Sequence, residues 1–146
     1  MPRTIAAPTT TNVGFLLAKA SQRFNELLVE RFAEHGFAEV RASYGSVLVP
    51  LFEQDGLRLG ELAARSRLSK QSMTGLVNLC EQDGLVRRER DPGDGRAFRV
   101  SLSARGRRFR AVAGEVLGEL DEELVRSLGT RRRDALIEAL KGVIDL

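Results

Sequence analysis

A mainly α-helical chain carrying one small β-hairpin (α+β) is predicted by three features of the sequence. Long stretches with apolar residues at helical spacing stand on either side of the middle, at residues 11–34 and 104–127. Between them lie two short helical segments, residues 59–65 and 69–82, joined by Ser66-Arg67-Leu68. A period-two run follows, in which Phe98, Val100 and Leu102 alternate with Arg99 and Ser101. The cluster Asp91-Pro92-Gly93-Asp94-Gly95 ahead of that run is turn chemistry, and residues 85–90 suit the other strand of a hairpin. With 146 residues, one domain with a sizeable core accounts for all of it.

Each element follows from its residues. In the first helix, Val13, Leu16, Leu17, Ala20, Phe24, Leu27, Leu28 and Phe32 recur at helical spacing, and His35-Gly36 ends it with an imidazole near the last carbonyls and a glycine suited to the left-handed position. A second helix is expected over residues 38–53, with Pro50 kinking it or leaving its N-terminal part irregular. Ser69 is the N-cap expected for residues 69–82, and Ser103 for the long helix that follows the hairpin. Gly129 breaks that helix, and Thr130 is expected to cap a last one, striped with Leu136, Ile137, Leu140, Val143 and Ile144.

Charge is distributed unevenly. The chain has a net charge of +3, but residues 58–110 hold 13 Lys/Arg against 6 Asp/Glu, whereas the remainder holds 10 against 14. A basic middle suggests a polyanionic partner, and nucleic acid is the commonest; the alternative is a solvated, arginine-rich surface. No apolar run approaches the ~20 residues of a membrane span, and residues 1–11 lack the apolar core of a signal peptide, so a cytoplasmic location is expected. One Cys and one His exclude a disulfide framework and give no metal cluster, and no cofactor is expected. No Ser-His-Asp arrangement, phosphate loop or HExxH pattern supports an enzyme.

Two short helices joined by a three-residue turn form a helix-turn-helix pattern, in which the second helix enters the major groove of DNA. Leu62, Ala63, Leu68, Met73, Leu76, Val77 and Cys80 fall on the inward face. Ser69, Lys70, Gln71, Ser72, Thr74, Gly75 and Asn78 fall outward. A merely solvated face carries Glu and Lys in numbers; this one has no acid before Glu81. Lys can read guanine, Gln and Asn can read adenine, and Ser or Thr can bond phosphate or base. A scaffold binding only protein or RNA is the competing reading, but it should expose large apolar residues on that face, and none stands there.

The stretch from Leu59 to Gly106 resembles the DNA-binding core of the MarR family of bacterial winged helix-turn-helix regulators. Gly84-Leu85-Val86-Arg87-Arg88 matches the family's step into the first strand. Asp91, Pro92, Asp94 and Arg96 match its wing motif, and Val100, Leu102, Ser103 and Gly106 match its step into the next helix. The resemblance implies a winged helix-turn-helix at residues 55–103, with helical dimerisation regions at residues 11–54 and 104–146 of a single 1–146 unit. It implies a homodimer on a double-stranded, pseudo-palindromic DNA operator, with repression favoured over activation. Ser69, Lys70, Gln71, Ser72, Thr74 and Asn78 would serve the recognition helix, and Arg90, Asp94 and Arg96 the wing. Arg96 would enter the minor groove while Asp94 holds the loop in shape. Gly75 and Gly95 depart from the family by removing side chains that relatives use, and Cys80 stands where leucine is usual.

The remaining residues carry two readings each. Cys80 is a small core thiol or a redox sensor; reactive family cysteines stand near the start of the first helix, where this chain has none, which favours the core. His35 caps a helix or binds a ligand. Tyr44, with Phe15 and Leu48, packs the core or lines a pocket for a small aromatic or phenolic effector, as the resemblance to phenol-sensing members implies. Arg131 to Asp134 form a solvated helix start or a second DNA contact.

Overall fold

The computed structural model describes residues 1–146. Six helices and a three-stranded antiparallel sheet follow one another as α1 (Val13–Glu34), a 3-10 turn (Ala42–Tyr44), α2 (Gly45–Glu53), β1 (Leu57–Arg58), α3 (Leu59–Arg65), α4 (Lys70–Gln82), β2 (Val86–Asp91), β3 (Asp94–Leu102), α5 (Ala104–Leu128) and α6 (Thr130–Ile144). The fold is therefore mainly α with a small β-hairpin, as expected. No helix is long and apolar enough to cross a membrane.

Helix ends are set by local chemistry. The side chain of Asn12 accepts the Gly14 N–H and starts α1, Ser69 accepts the Ser72 N–H and starts α4, and Ser103 accepts the Gly106 N–H and starts α5. Three helices stop in the same way. After α1, α3 and α4 the residue at φ +86°, +54° and +74° is Gly36, Arg67 and Gly84. In each case the next N–H reaches back five residues: Phe37 to Phe32, Leu68 to Ala63, Leu85 to Cys80, all at 2.9 Å. Arg67 adopts this left-handed conformation without glycine's freedom, a local cost of about 1–2 kcal/mol, and so folds the helix-turn-helix link into the four residues Ser66 to Ser69.

Several expectations need correction. Residues 37–41 are not helical; the second helix starts only at Gly45, after the 3-10 turn. Pro50 sits inside α2 and has no N–H to give the Ser46 carbonyl, which instead accepts a hydrogen bond from the Ser66 hydroxyl at 2.5 Å. A two-residue strand, β1, was not expected; it pairs Leu57 with Val100 and makes β3 the central strand of the order β1-β3-β2. Thr130 is the first residue of α6 and not its cap, because Gly129, at φ +81°, holds the cap position. Phe98 is 47% exposed: it pairs only with Arg90, beyond the reach of β1, so no core lies beneath it.

One core joins the parts. Phe109 of α5 packs edge-on against Phe32 at 4.8 Å and tilted against Phe37 at 5.1 Å. Met73, Val77 and Cys80 bury the inner face of α4 beside Leu48, Leu57 and Leu62. Burial, followed by the charge of Asp83, pushes the Cys80 thiol up to about 12, so it stays protonated and inert at neutral pH.

Where α5 begins, Gly106 passes so close to Leu85 that a Cβ on it would overlap the Leu85 carbonyl oxygen and press on Leu102 Cδ2 at 3.2 Å. Helix propensity alone would make Gly106→Ala stabilising by up to about 1 kcal/mol. Overpacking against backbone reverses the sign, and we expect a loss of about 1–3 kcal/mol or more in urea denaturation.

Candidate nucleic-acid interface

Helix α4 presents one buried and one bare face. Ser69, Lys70, Gln71, Ser72, Gly75 and Asn78 are exposed and Thr74 is half-buried, so the expected outward set does share one surface. The first turn of α4 holds no acid, and the positive end of its dipole adds to the charge of Lys70. The side chains are not equally available. Ser69 caps the helix and also donates to the Ser72 hydroxyl at 3.0 Å. Thr74 donates its hydroxyl to the Lys70 carbonyl at 2.7 Å, and Asn78 Oδ1 accepts a hydrogen bond from Arg88 of β2. Lys70 and Gln71 have no side-chain partner, and the Ser72 hydroxyl keeps its own proton to donate. A Cβ on Gly75 would meet nothing within 4 Å, so the surface is open there.

The hairpin brings a second set of groups beside this face. Asp94 Oδ1 accepts the Arg96 N–H at 3.0 Å, a local turn contact. The pairing register jumps between Arg90, opposite Phe98, and Asp91, opposite Asp94. Gly95, Arg96 and Ala97 therefore stand in β3 without partners in β2, and such an irregularity re-aims side chains. Arg90 and Arg96 are exposed and make no ion pair. Between the hairpin and the start of α4 lies a cleft of about 510 Å³, edged by Arg58, Lys70, Arg88 and Arg96 over a floor that includes Val77 and Val100.

What shapes the hairpin is a group whose role its sequence neighbours did not disclose. Asp91 is buried, with Oδ1 accepting the Gly93 N–H at 2.8 Å and Oδ2 held by Arg58 at 2.7 Å and Arg99 at 3.1 Å. The Gly93 bond foremost, then Arg58 and Arg99, holds its carboxyl below the usual aspartate range against the opposing effect of burial. Arg58 comes from β1 and Arg99 from β3, so the three meet only through strand register, which no local pattern reveals.

Other singled-out residues lie elsewhere. His35 donates from Nδ1 to the Arg31 carbonyl at 2.8 Å, a helix-end bond. Arg133 pairs with Asp121 at 3.2 Å and with Asp134 at 3.1 Å. The structure does not bring Phe15 together with Tyr44 and Leu48. Phe15 is 42% exposed with Lys19 over its ring, whereas Tyr44 and Leu48 are core residues, and none of the three lines the cleft between α4 and the hairpin.

A depressed carboxyl stabilises the fold above its usual titration range, and that contribution is lost as the pH falls through the folded-state value. Amide exchange should therefore show residues 86–102 losing protection below a pH of about 4, ahead of α1 and α5. Asp91→Ala, which leaves Arg58 and Arg99 facing each other uncompensated, should show that loosening already at neutral pH and lack the acid step.

Known proteins share both the sequence and the shape of this chain. A family model described as "MarR family" matches residues 51–97. The HTH-type transcriptional regulator ML2140 of Mycobacterium leprae is 32% identical over 107 residues, covering 73% of this chain and 75% of that protein. Among solved structures, the transcriptional repressor CouR bound to a 23-mer DNA duplex superposes with a TM-score of 0.80 at 24% identity, covering 95% of this chain and 99% of that one. The PcaV transcriptional regulator of Streptomyces coelicolor, in complex with its natural ligand, gives 0.79 at 22% identity, covering 97% and 98%. With the helix-turn-helix, the hairpin and the flanking helices in place, the chain belongs to the MarR family, whose members are DNA-binding transcription regulators and not enzymes.

Proposed function

We propose that this regulator is a homodimeric repressor that occludes a promoter by binding a pseudo-palindromic operator. The observation that carries this reading is the juxtaposition of an acid-free, polar α4 face with an unpaired Arg96 on the adjacent hairpin. Lys70, Gln71 and Ser72 are placed to reach base edges in the major groove, with Ser69, Thr74 and Asn78 shaping that face and reaching phosphate. Arg96 enters the neighbouring minor groove, where a narrow groove concentrates negative potential. Arg90 adds phosphate attraction along β2, and Asp94 keeps the Arg96 backbone in place.

Dimerisation follows from apolar surface that one protomer leaves bare. Leu136, Ile137, Leu140, Val143 and Ile144 of α6 are exposed, as are Val13, Phe15 and Leu16 of α1, and no residue of α6 is buried. Water does not favour so continuous a stripe, and residues 11–54 and 104–146 supply it to a two-fold interface. Two recognition helices would then stand roughly 34–36 Å apart, one turn of DNA. CouR, solved on DNA, supports a DNA operator as partner, and PcaV, solved with its natural ligand, supports an effector, for which we propose a small aromatic or phenolic molecule. Such an effector would enter between the helical and DNA-binding parts of the dimer.

Selection from a random duplex pool supplies the cognate site, and titrations at several salt concentrations supply the test. Arg96→Ala should weaken binding to all sequences and lower the slope of log affinity against log salt by ~0.9 per half-site. Lys70→Ala and Gln71→Ala should instead cost roughly 1–3 kcal/mol on the cognate site alone. An unchanged affinity and slope for Arg96→Ala would remove the hairpin from the DNA.

Sedimentation at micromolar concentration should show a dimer, and Ile137→Glu with Leu140→Glu should yield a folded monomer with weakened operator binding. A wild-type monomer that still binds the full site would sink the two-fold reading.

A further inference from the structure

Helix α4 is tied to the hairpin by Arg88, which reaches Asn78 and Glu81, but it is held to the helical body almost entirely by apolar contacts. Met73, Val77 and Cys80 are fully buried on its inner face, and contacts of this kind are non-directional, so they fix its depth better than its pitch. One side-chain hydrogen bond runs between α4 and the α1–α2 body. Tyr44, at the junction of the 3-10 turn and α2, donates its hydroxyl to Oδ2 of Asp83 at 2.5 Å. Asp83 is the C-cap of α4.

Both partners are unusual for their places unless they serve each other. Tyr44 is only 1% exposed, and a buried phenol needs a partner for its O–H. Asp83 sets a carboxylate at the negative end of a helix dipole, where a cation or a neutral group is the stabilising choice. Burial, then the bond to Asp83, pushes the Tyr44 hydroxyl up to about 12, so it stays a donor at all physiological pH. Charge-assisted bonds are shorter and more directional than neutral ones.

We infer that Tyr44, acting through Asp83, is a positioning residue that sets the pitch of the recognition helix. Lys70 and Asp83 are 13 residues apart along α4, roughly 20 Å of helix. When the tie between the C-terminal end and the α1–α2 body is lost, a small tilt of α4, together with the hairpin attached to it through Arg88, moves the base-reading end relative to that body. Base contacts demand that geometry, whereas attraction to phosphates tolerates its loss. The inference rests on the operator-binding reading above and adds to it a residue buried in the core, far from DNA in sequence.

The test uses the intact chain, with Tyr44→Phe, Asp83→Ala, Asp83→Asn and the Tyr44→Phe/Asp83→Ala pair, at a temperature where thermal scans show each variant folded. Tyr44→Phe and Asp83→Ala should each lower affinity for the selected operator about tenfold, one hydrogen bond's worth, and leave binding to a scrambled duplex unchanged. The double variant should be no weaker than the weaker single one, and Asp83→Asn, which keeps an acceptor, should stay close to wild type. Because Tyr44 is the sole tyrosine and the chain has no tryptophan, alkaline absorbance titration reads this one hydroxyl in the free protein. Its ionisation should move downward in Asp83→Ala.

Unchanged operator affinity overturns the inference. So does a parallel loss on operator and scrambled DNA that tracks unfolding, an Asp83→Asn as weak as Asp83→Ala, or a tyrosine titration indifferent to Asp83. A wild type that selects no sequence at all defeats the operator reading itself and takes the positioning role with it. Wild-type selection with indifferent variants defeats the positioning role alone.

Discussion

The structure depends on the carbonyl of Leu85 and the few atoms around it. The Leu85 N–H closes the end of α4 on the Cys80 carbonyl at 2.9 Å, and the Leu85 carbonyl accepts the Ser103 N–H at 3.0 Å. Ser103 in turn donates its hydroxyl to the Gly84 carbonyl at 2.5 Å while capping α5 through Gly106. The end of the recognition helix, the start of β2, the end of β3 and the start of α5 are thus joined at one point. Only a glycine fits at Gly106, because the first turn of α5 rests directly on that carbonyl. A displacement in the long helix cannot occur without moving the base of the hairpin and the end of α4 together, since packed backbone transmits strain with little give.

That node makes the division of labour in α4 possible. With its inner face packed by Met73, Val77 and Cys80 and its end closed at Leu85, the outer face contributes almost nothing to the fold and is free to be polar and acid-free. Arg88 reaches from β2 to Asn78 and to Glu81, at 3.9 Å for the latter, and so fixes the hairpin to the outer flank of the same helix. Helix and hairpin are presented as one rigid surface, and base readout requires that rigidity because groups must arrive at fixed offsets.

The parts of this fold that were legible in the sequence are those whose causes are local. Ser69, Ser103 and the glycines at 36, 84 and 129 mark helix ends through the chemistry of the next few residues, and the apolar spacing of Met73, Leu76, Val77 and Cys80 assigned the buried face of α4. What was not legible depends on pairing across the chain. A two-residue strand at Leu57–Arg58 carries no periodicity; it exists because β3 offers an open edge. The irregular residues 37–41 gave no signal against helix, since their shape follows from Phe37 turning into the aromatic cluster around Phe109. Asp91 read as a turn residue because its two arginine partners stand 33 and 8 positions away along the chain. Tyr44 read as a core or pocket residue for the same reason, with Asp83 39 positions off.

The same distinction governs the charge. Counting 13 Lys/Arg across residues 58–110 suggests a broadly basic surface, yet the structure engages many of them in its own architecture. Arg58 and Arg99 neutralise Asp91, Arg88 holds Asn78, Arg105 pairs with Glu39, Arg87 pairs with Glu89, Arg65 donates to Gln54, and Arg107 donates to the Leu102 carbonyl. Arg67, Lys70, Arg90, Arg96, Arg108 and Arg110 remain without a partner. Of these, Lys70 and Arg96 edge the same cleft from opposite sides, one on the helix and one on the hairpin. The buried carboxylate of Asp91 contributes to that arrangement: it neutralises Arg58 and Arg99 beside the hairpin's turn, both still partly exposed, and leaves the unpaired charge of Lys70 and Arg96 at the positions where helix and hairpin would meet a phosphate backbone.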